Sequence, residues 1–199
     1  PADLEHRQIL GQVSRPPGLP AASGWIPAMQ DIAEPDAVHV TDTIEWGLRT
    51  AAGEYASWMR SHSDAVAGMT VEIAASVTAV GDSGEGLRVR LALPQADGQA
   101  TRYELSVTRT SIYWYAGVWT PLIEWVDNHS AVHRFRLAVR PDGVAQIYRD
   151  AELVGTRMPP VEPGGPSDAR VDWGIGAADD SCEATVADVG VDTTGAYAP

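Results

Sequence analysis

The fold class this sequence predicts is an antiparallel β-sandwich. Three observations predict it: apolar residues recur at every second position along most of the chain, Gly- and Pro-centred turn signals separate those runs at short intervals, and no long amphipathic helix is written anywhere. A period of two is what a strand needs when one face packs on a core and the other meets water, because successive side chains point to opposite faces.

The alternation begins with Ile44, Trp46 and Leu48, set against Glu45 and Arg49. Val71, Ile73, Ala75 and Val77 then alternate with Glu72 and Thr78, and Leu87, Val89, Leu91 and Leu93 with Arg88 and Arg90. Tyr103, Leu105 and Val107 continue it, followed by Phe135, Leu137 and Val139 between His133, Arg134, Arg136 and Arg140, and by Val171, Trp173, Ile175 and Ala177. Turn chemistry separates the runs at Gly81-Asp82-Ser83-Gly84, Pro94 to Gly98, Pro141-Asp142-Gly143 and Pro159 to Pro166. This phase predicts a buried layer between two sheets, a jelly-roll arrangement built from Leu87, Val89, Leu91, Leu105, Val107, Phe135, Leu137, Val139, Val171, Trp173 and Ile175. It also predicts a last strand beside the N-terminal region, with Val186 and Val189 or Val191 packed inward.

Residues 1–36 read differently. Pro16, Pro17, Pro20, Pro27 and Pro35 interrupt any sustained period, which predicts an extended arm with a short helical turn at Asp3 to Leu10, and leaves 37–199 as the sandwich domain.

A chain of 199 residues, 44% hydrophobic, is long enough for one well-buried core and a single sandwich. Its formal net charge is −13 and all 14 basic residues are Arg, so no basic stripe is available for phosphates and nucleic acid is not an expected partner. Cys182 is the lone cysteine, which excludes an intrachain disulfide and a cysteine-based zinc site and reads as a small, semi-buried residue. No run of about 18 apolar residues exists to span a membrane as a helix. The chain opens at Pro1 without a charged-then-apolar leader, so an export signal is expected to have been removed already or never to have been there.

The segment His133 to Gly155 is similar to the paired hairpins of concanavalin A-like lectin/glucanase domains, including the laminin-G-like ones. There a strand of the form H-x-Y/F-R-L leads through D-G to V-x-V/I-Y-x-D-G-x-L/V. Gly68-Met69-Thr70-Val71-Glu72-Ile73 resembles the early G-x-T-V-E strand of that family. Trp173-Gly174-Ile175-Gly176, with the tail from Asp188 to Pro199, resembles its closing strand. Ala151 departs from the pattern where the family usually has Gly, so a different two-residue turn is expected there. The resemblance covers 40–199 and implies a jelly roll of two sheets, one concave, whose groove often holds a glycan. It implies a secreted or cell-surface setting but not catalysis, since one fold hosts many functions.

Retaining glucanases of this superfamily carry E-x-D-x-x-E or E-x-D-x-E on one strand, which sets nucleophile, helper and acid on a single face. No such run appears. Glu54, Glu72, Glu104, Glu124 and Asp127 stand singly and read as solvated charges. Jelly-roll polysaccharide lyases instead use Arg to neutralise a uronate carboxylate and Tyr or His to move the proton. Arg88 and Arg90 share one strand face, and Arg102 and Glu104 share a face of the next, so on a concave sheet they form an Arg cluster. The lyase signatures R-S/T-E-L/V-R and Q-I/V-H are absent, and pairing of these arginines with nearby carboxylates is the plainer expectation.

The densest aromatic cluster comprises Tyr113-Trp114-Tyr115, Trp119 and Trp125. Aromatic faces stack on the C–H side of pyranose rings while neighbouring polar groups meet the hydroxyls. Tyr113, Tyr115, Trp119, Glu124, Trp125, Asp127, Asn128 and His129 are therefore candidate ligand-binding residues, with Arg88, Arg90 and Arg102 beside them. Alternation along Tyr113-Trp114-Tyr115 requires at least one ring in the core. His129 and His133 are four apart, but His133 opens a strand, so a histidine metal site is not expected. Related sandwiches tie the final strand to the N-terminal region with calcium. That implies Ca2+ at Asp179, Asp180, Glu183 and Asp188, against the plainer reading of an acidic loop without metal.

Three functions follow in order of support: a non-catalytic domain recognising an oligo- or polysaccharide, a polysaccharide lyase or divergent glycoside hydrolase acting in the groove, and a structural module whose N-terminal arm wraps a partner.

Overall fold

The computed structural model describes residues 12–14, 18–41, 45–63, 68–79, 85–95, 99–159, 161–162, 168–176 and 181–195. Sheet A is built from β1 (Gln12–Ser14), β3 (Val38–Val40), β4 (Trp46–Thr50), β6 (Met69–Ala79), β11 (His133–Val139), β12 (Ala145–Arg149), β13 (Glu152–Arg157) and β16 (Cys182–Asp192). Sheet B is built from β2 (Ile26–Gln30), β5 (Tyr55–His62), β7 (Leu87–Pro94), β8 (Ala100–Val107), β9 (Ser111–Tyr115), β10 (Trp119–Glu124), β14 (Val161–Glu162) and β15 (Ala169–Gly176). Sheet A runs β13-β12-β11-β6-β16-β4-β3 with β1 beside β16, and sheet B runs β10-β9-β8-β7-β15-β5-β2 with β14 beside β8. The pairings are antiparallel, and the chain changes sheets repeatedly, between β4 and β5, β6 and β7, β10 and β11, and β15 and β16, as a jelly roll requires.

The strand phase read from the alternation is the phase observed. Leu87, Val89, Leu91, Leu105, Val107, Phe135, Leu137, Val139, Val171, Trp173 and Ile175 are each no more than 2% exposed. The centre of this layer is a group of four indoles. Trp58 and Trp46 stack on Trp173 with ring centroids 4.9 and 5.4 Å away, and Trp25 meets it edge-on at 5.8 Å. Trp46 comes from sheet A and Trp58 and Trp173 from sheet B, so the cluster joins the layers with large apolar area and favourable ring geometry. Val186, Val189 and Val191 are buried on β16, which lies between β6 and β4.

The first 36 residues, where described, are woven into both sheets. Gln12 to Ser14 pair with Val191 to Val189, Ile26 to Gln30 pair with Met59 to Tyr55, and Trp25 is buried in the core. Pro27 fits because β2 is an edge strand, where a missing N–H costs no ladder bond. The helical turn expected at Asp3 to Leu10 lies outside the described residues.

The β12–β13 hairpin corrects one expectation. Asp150 and Ala151 form its two-residue turn with φ of 50° and 72°, so both central residues are left-handed, as a type I′ turn demands. The turn type is kept without glycine, and Ala151 carries the strain. Cys182 is fully buried on β16, and burial pushes its thiol up to about 12.

Candidate functional site

Because alternate residues of β7, β8 and β15 enter the core, the residues between them share the outer face of sheet B. Asp172, Arg90 and Glu104 lie side by side across three strands, and Gly174, Arg88, Ser106 and Tyr113 form the neighbouring row. Arg88, Arg90 and Arg102 therefore do come together on one face. Each has a carboxylate partner: Arg88 Nη2 is 2.6 Å from Glu85, Arg90 Nε is 3.2 Å from Asp172, and Arg102 donates to Glu104. Arg170 Nε also reaches Asp172, at 3.0 Å. Glu104 and Asp172 are buried, which makes them the supports of these guanidiniums. Burial disfavours the charge on Arg90, but Asp172 and Glu104 outweigh it and its pKa ends above the ordinary value.

Aromatic rings complete the face. The Arg88 guanidinium lies 5.3 Å from the Tyr55 ring and 5.7 Å from the Trp119 ring, and Arg102 lies 4.8 Å over Tyr115, whose ring meets Trp119 edge-on at 5.0 Å. Tyr113 and Tyr115 are half-buried on this face, whereas Trp114 between them points into the core against Tyr103. A pocket of about 400 Å³ opens here, lined by Gln30, Gly53, Glu54, Tyr55, Glu85, Arg88, Arg90 and Gly176. That volume is within the range of small-molecule sites. Its floor admits no side chain, since a Cβ on Gly176 would sit 2.4 Å from the Tyr55 ring and one on neighbouring Gly174 2.1 Å from the Ala56 carbonyl oxygen.

The remaining candidates form a second group, in the connection after β10. Trp125 is 91% exposed with φ of 62°. It stands at the opposite end of β10 from Trp119, about 20 Å along the strand, and on the sheet edge opposite β2. Val126 N–H donates to Thr110 and Asn128 N–H to Arg109, both at 3.0 Å, which anchors the loop. Asn128 is fully buried; its Nδ2 donates to the Thr108 carbonyl at 2.9 Å and its Oδ1 accepts from Arg149 Nε at 2.9 Å. Asp127 accepts from the His129 and Ser130 amides and from the Ser130 hydroxyl, which holds its carboxyl well below the usual carboxylate range. His129 lies between Asp127 at 2.7 Å and Arg109 at 3.3 Å, and Glu124 is exposed. The structure thus splits the aromatic segment: Tyr113, Tyr115 and Trp119 join the arginine face, Glu124 ends β10 opposite Ser111, and Trp125 to His129 lie in the loop that follows.

The four acidic residues expected at a cation do not converge where they are described. Asp188 lies 3.5 Å from Arg134 in a cluster that includes the buried pair Arg136 and Glu72, while Glu183 is 3.7 Å from Arg49 at the other end of β16. Asp179 and Asp180 lie outside the described residues. No group of three metal-ligating side chains is assembled among the described residues.

Tyr55, Glu85, Gln30 and Asp172 belong to the pocket face and were not singled out from sequence, while Glu54, read there as an isolated charge, and Gly176, read as part of the closing strand, also line the pocket. Asp172 was within reach of that reading, because it sits between inward-pointing Val171 and Trp173 and so must face outward with Arg88 and Arg90. Tyr55 joins the site only through the long-range register that pairs it with Gly176.

No protein-family model and no curated protein sequence matches this chain. Solved structures do. The Emp46p carbohydrate recognition domain in its potassium-bound form superposes over 95% of this chain and 95% of its own, with TM-score 0.60 and 13% identity. Alginate lyase AlgAT5 from polysaccharide lyase family 7 covers 79% of this chain and 82% of its own, with TM-score 0.51 and 11% identity. A sialidase matches 87% of this chain at TM-score 0.58 and 14% identity, and the chain spans 17% of that protein's length. The fold of this chain is the concanavalin A-like lectin/glucanase fold.

Proposed function

We propose that this chain is a carbohydrate-binding domain that holds an oligo- or polysaccharide on the outer face of sheet B and performs no chemistry on it. The observation that carries this reading is the pocket itself: the half-buried rings of Tyr55, Trp119 and Tyr115 stand around Arg88 and Arg102, beside a cavity bordered by Gln30, Glu54, Glu85 and Arg90. Ring faces suit the apolar side of a pyranose, and amide, carboxylate and guanidinium groups suit its hydroxyls. The fold neighbour named for carbohydrate recognition points the same way.

Catalysis has weaker support. Hydrolysis with retention needs two carboxyl groups about 5–5.5 Å apart across the bond, one of them free to protonate the leaving group. Glu104 and Asp172 are buried against arginines on different strands, which commits both to structure. A lyase reading draws on the alginate lyase neighbour and on Arg88, Arg90 and Arg102, and it is the second reading. A saccharide partner also favours a secreted or cell-surface setting; no helix among the described residues is long and apolar enough to cross a membrane.

A glycan array on the purified protein, with and without calcium, is the test. The expected result is binding of a saccharide that Trp119→Ala abolishes without moving the thermal midpoint, and no new reducing ends or unsaturated products on incubation. Product formation would move the assignment to the enzyme class, and silence on the array would remove the saccharide reading.

A further inference from the structure

We infer that the pocket selects uncharged saccharides and turns away uronic acids, an inference that rests on the carbohydrate-binding reading above. Four guanidiniums, Arg88 and Arg90 on β7, Arg102 on β8 and Arg170 on β15, share this face with four carboxylates: Glu104 and Asp172 on the same strands and Glu54 and Glu85 in the turns bordering the pocket. These eight groups balance in charge among the described residues around the pocket, on a chain whose formal net charge is −13.

Recognition of a carboxylate-bearing sugar needs a guanidinium with an open fork, because bidentate pairing is what makes that contact strong and directional. Each of the four is already engaged by a carboxylate. Arg88 is held at 2.6 Å by Glu85 near the rings of Tyr55 and Trp119, Arg90 and Arg170 both reach Asp172 through Nε at 3.2 and 3.0 Å, and Arg102 is held by Glu104 over Tyr115. A uronate entering the pocket would lose its water and meet Glu54 and Glu85 at the rim, and every guanidinium it could reach there already has a carboxylate partner. A neutral sugar faces no such conflict. Each hydroxyl both donates and accepts, so it can donate to a carboxylate and accept from the guanidinium bound to that carboxylate.

The account makes Glu85 the residue that excludes acid. Replacing it with the isosteric amide leaves a polar pocket of the same shape but frees the Arg88 fork and gives the face a net positive charge. Binding to neutral gluco-, manno-, galacto- and xylo-oligosaccharides and to oligogalacturonate and oligoalginate is measured by calorimetry for the unaltered protein, Glu85→Gln and Glu54→Gln, each variant first checked for an unchanged near-ultraviolet dichroism spectrum. The expected result is neutral-sugar binding whose Kd moves less than about twofold between roughly 20 and 500 mM NaCl, as an uncharged ligand requires. Uronate affinity is expected to be at least about tenfold weaker, and Glu85→Gln is expected to raise it about tenfold in a salt-sensitive manner, with Glu54→Gln acting in the same direction. Preferential uronate binding by the unaltered protein overturns the inference while leaving the saccharide reading in place. So does a neutral-sugar binder in which neither variant gains uronate affinity. Binding of neither class overturns both.

Discussion

Replacing Ala151 with Gly is expected to stabilise the protein, and the size of the gain follows from the turn geometry. Asp150 and Ala151 close the β12–β13 hairpin with φ of 50° and 72°. An L-residue with a Cβ loses about 1–2 kcal/mol in the left-handed region, except that Asp recovers part of it through local hydrogen bonds. Asp150 does so: its Oδ1 accepts the Arg134 N–H at 2.9 Å, and its Oδ2 lies 2.6 Å from His133 Nδ1. Ala151 has no such compensation and is exposed, so its methyl group contributes no packing. Glycine gives back about 0.5–1 kcal/mol through greater freedom in the unfolded chain. The net gain is about 0.5–1 kcal/mol, or about 1–4 °C in thermal midpoint for a chain of this length. Calorimetric melts of Ala151→Gly and Asp150→Gly side by side give opposite signs on this reasoning, because the second substitution removes the Asp150 contacts with Arg134, His133 and Arg149. A midpoint for Ala151→Gly equal to or below that of the unaltered protein would refute it.

Phe135→Ala should cost about 3–5 kcal/mol in urea unfolding, since the ring is 2% exposed between the sheets; a loss under about 1 kcal/mol would contradict the strand phase. Trp125→Ala should change stability by less than about 0.5 kcal/mol, since the ring is almost wholly in solvent, and a large loss would show that the ring packs. Cys182 should stay silent to a thiol reagent at about pH 8 until the protein unfolds, because its thiol is pushed up to about 12. The shift is upward, so the stability linked to it is full below the ordinary thiol range and is lost as pH rises from about 9 toward about 12. Rapid labelling of the native protein would place the thiol at the surface.

The elements legible in the sequence were those whose residue types alternate between apolar and polar, even where the outer side is itself covered, as at Glu104, Arg136 and Asp172. On β7, β8, β11 and β15 the alternation assigned both the core residues and the arginine face correctly, because each inward residue meets the opposite sheet. On β5 it failed: Tyr55, Ala56, Ser57, Trp58 and Met59 show no alternation of residue type, and Ser57 is buried beside β2, its hydroxyl donating to the Ala28 carbonyl. β2 was hidden by Pro27, which is harmless only at a sheet edge, a fact of topology that local sequence does not carry. The site divided along the same line. Arg88, Arg90 and Arg102 could be grouped because neighbouring strands in the chain are neighbours in the sheet, whereas Tyr55 and Gly176 meet through a pairing more than a hundred residues apart in the chain. Trp119 and Trp125 look adjacent in sequence, but Trp119 lies against Arg88 and Tyr115 on the outer face, whereas Trp125, in the connection after β10, is 91% exposed.

The central claim is that the outer face of sheet B, and not the loop after β10, receives the saccharide. Its most direct test is a titration of the nitrogen-15-labelled protein with the neutral oligosaccharide that the array selects, following the indole N–H signals of the chain's 7 tryptophans. The account predicts that the Trp119 signal shifts progressively and saturates with the binding curve, while the Trp125 signal stays in place and the signals of Trp46, Trp58 and Trp173 in the core change little. Saturable movement of Trp125 with Trp119 unmoved would contradict it.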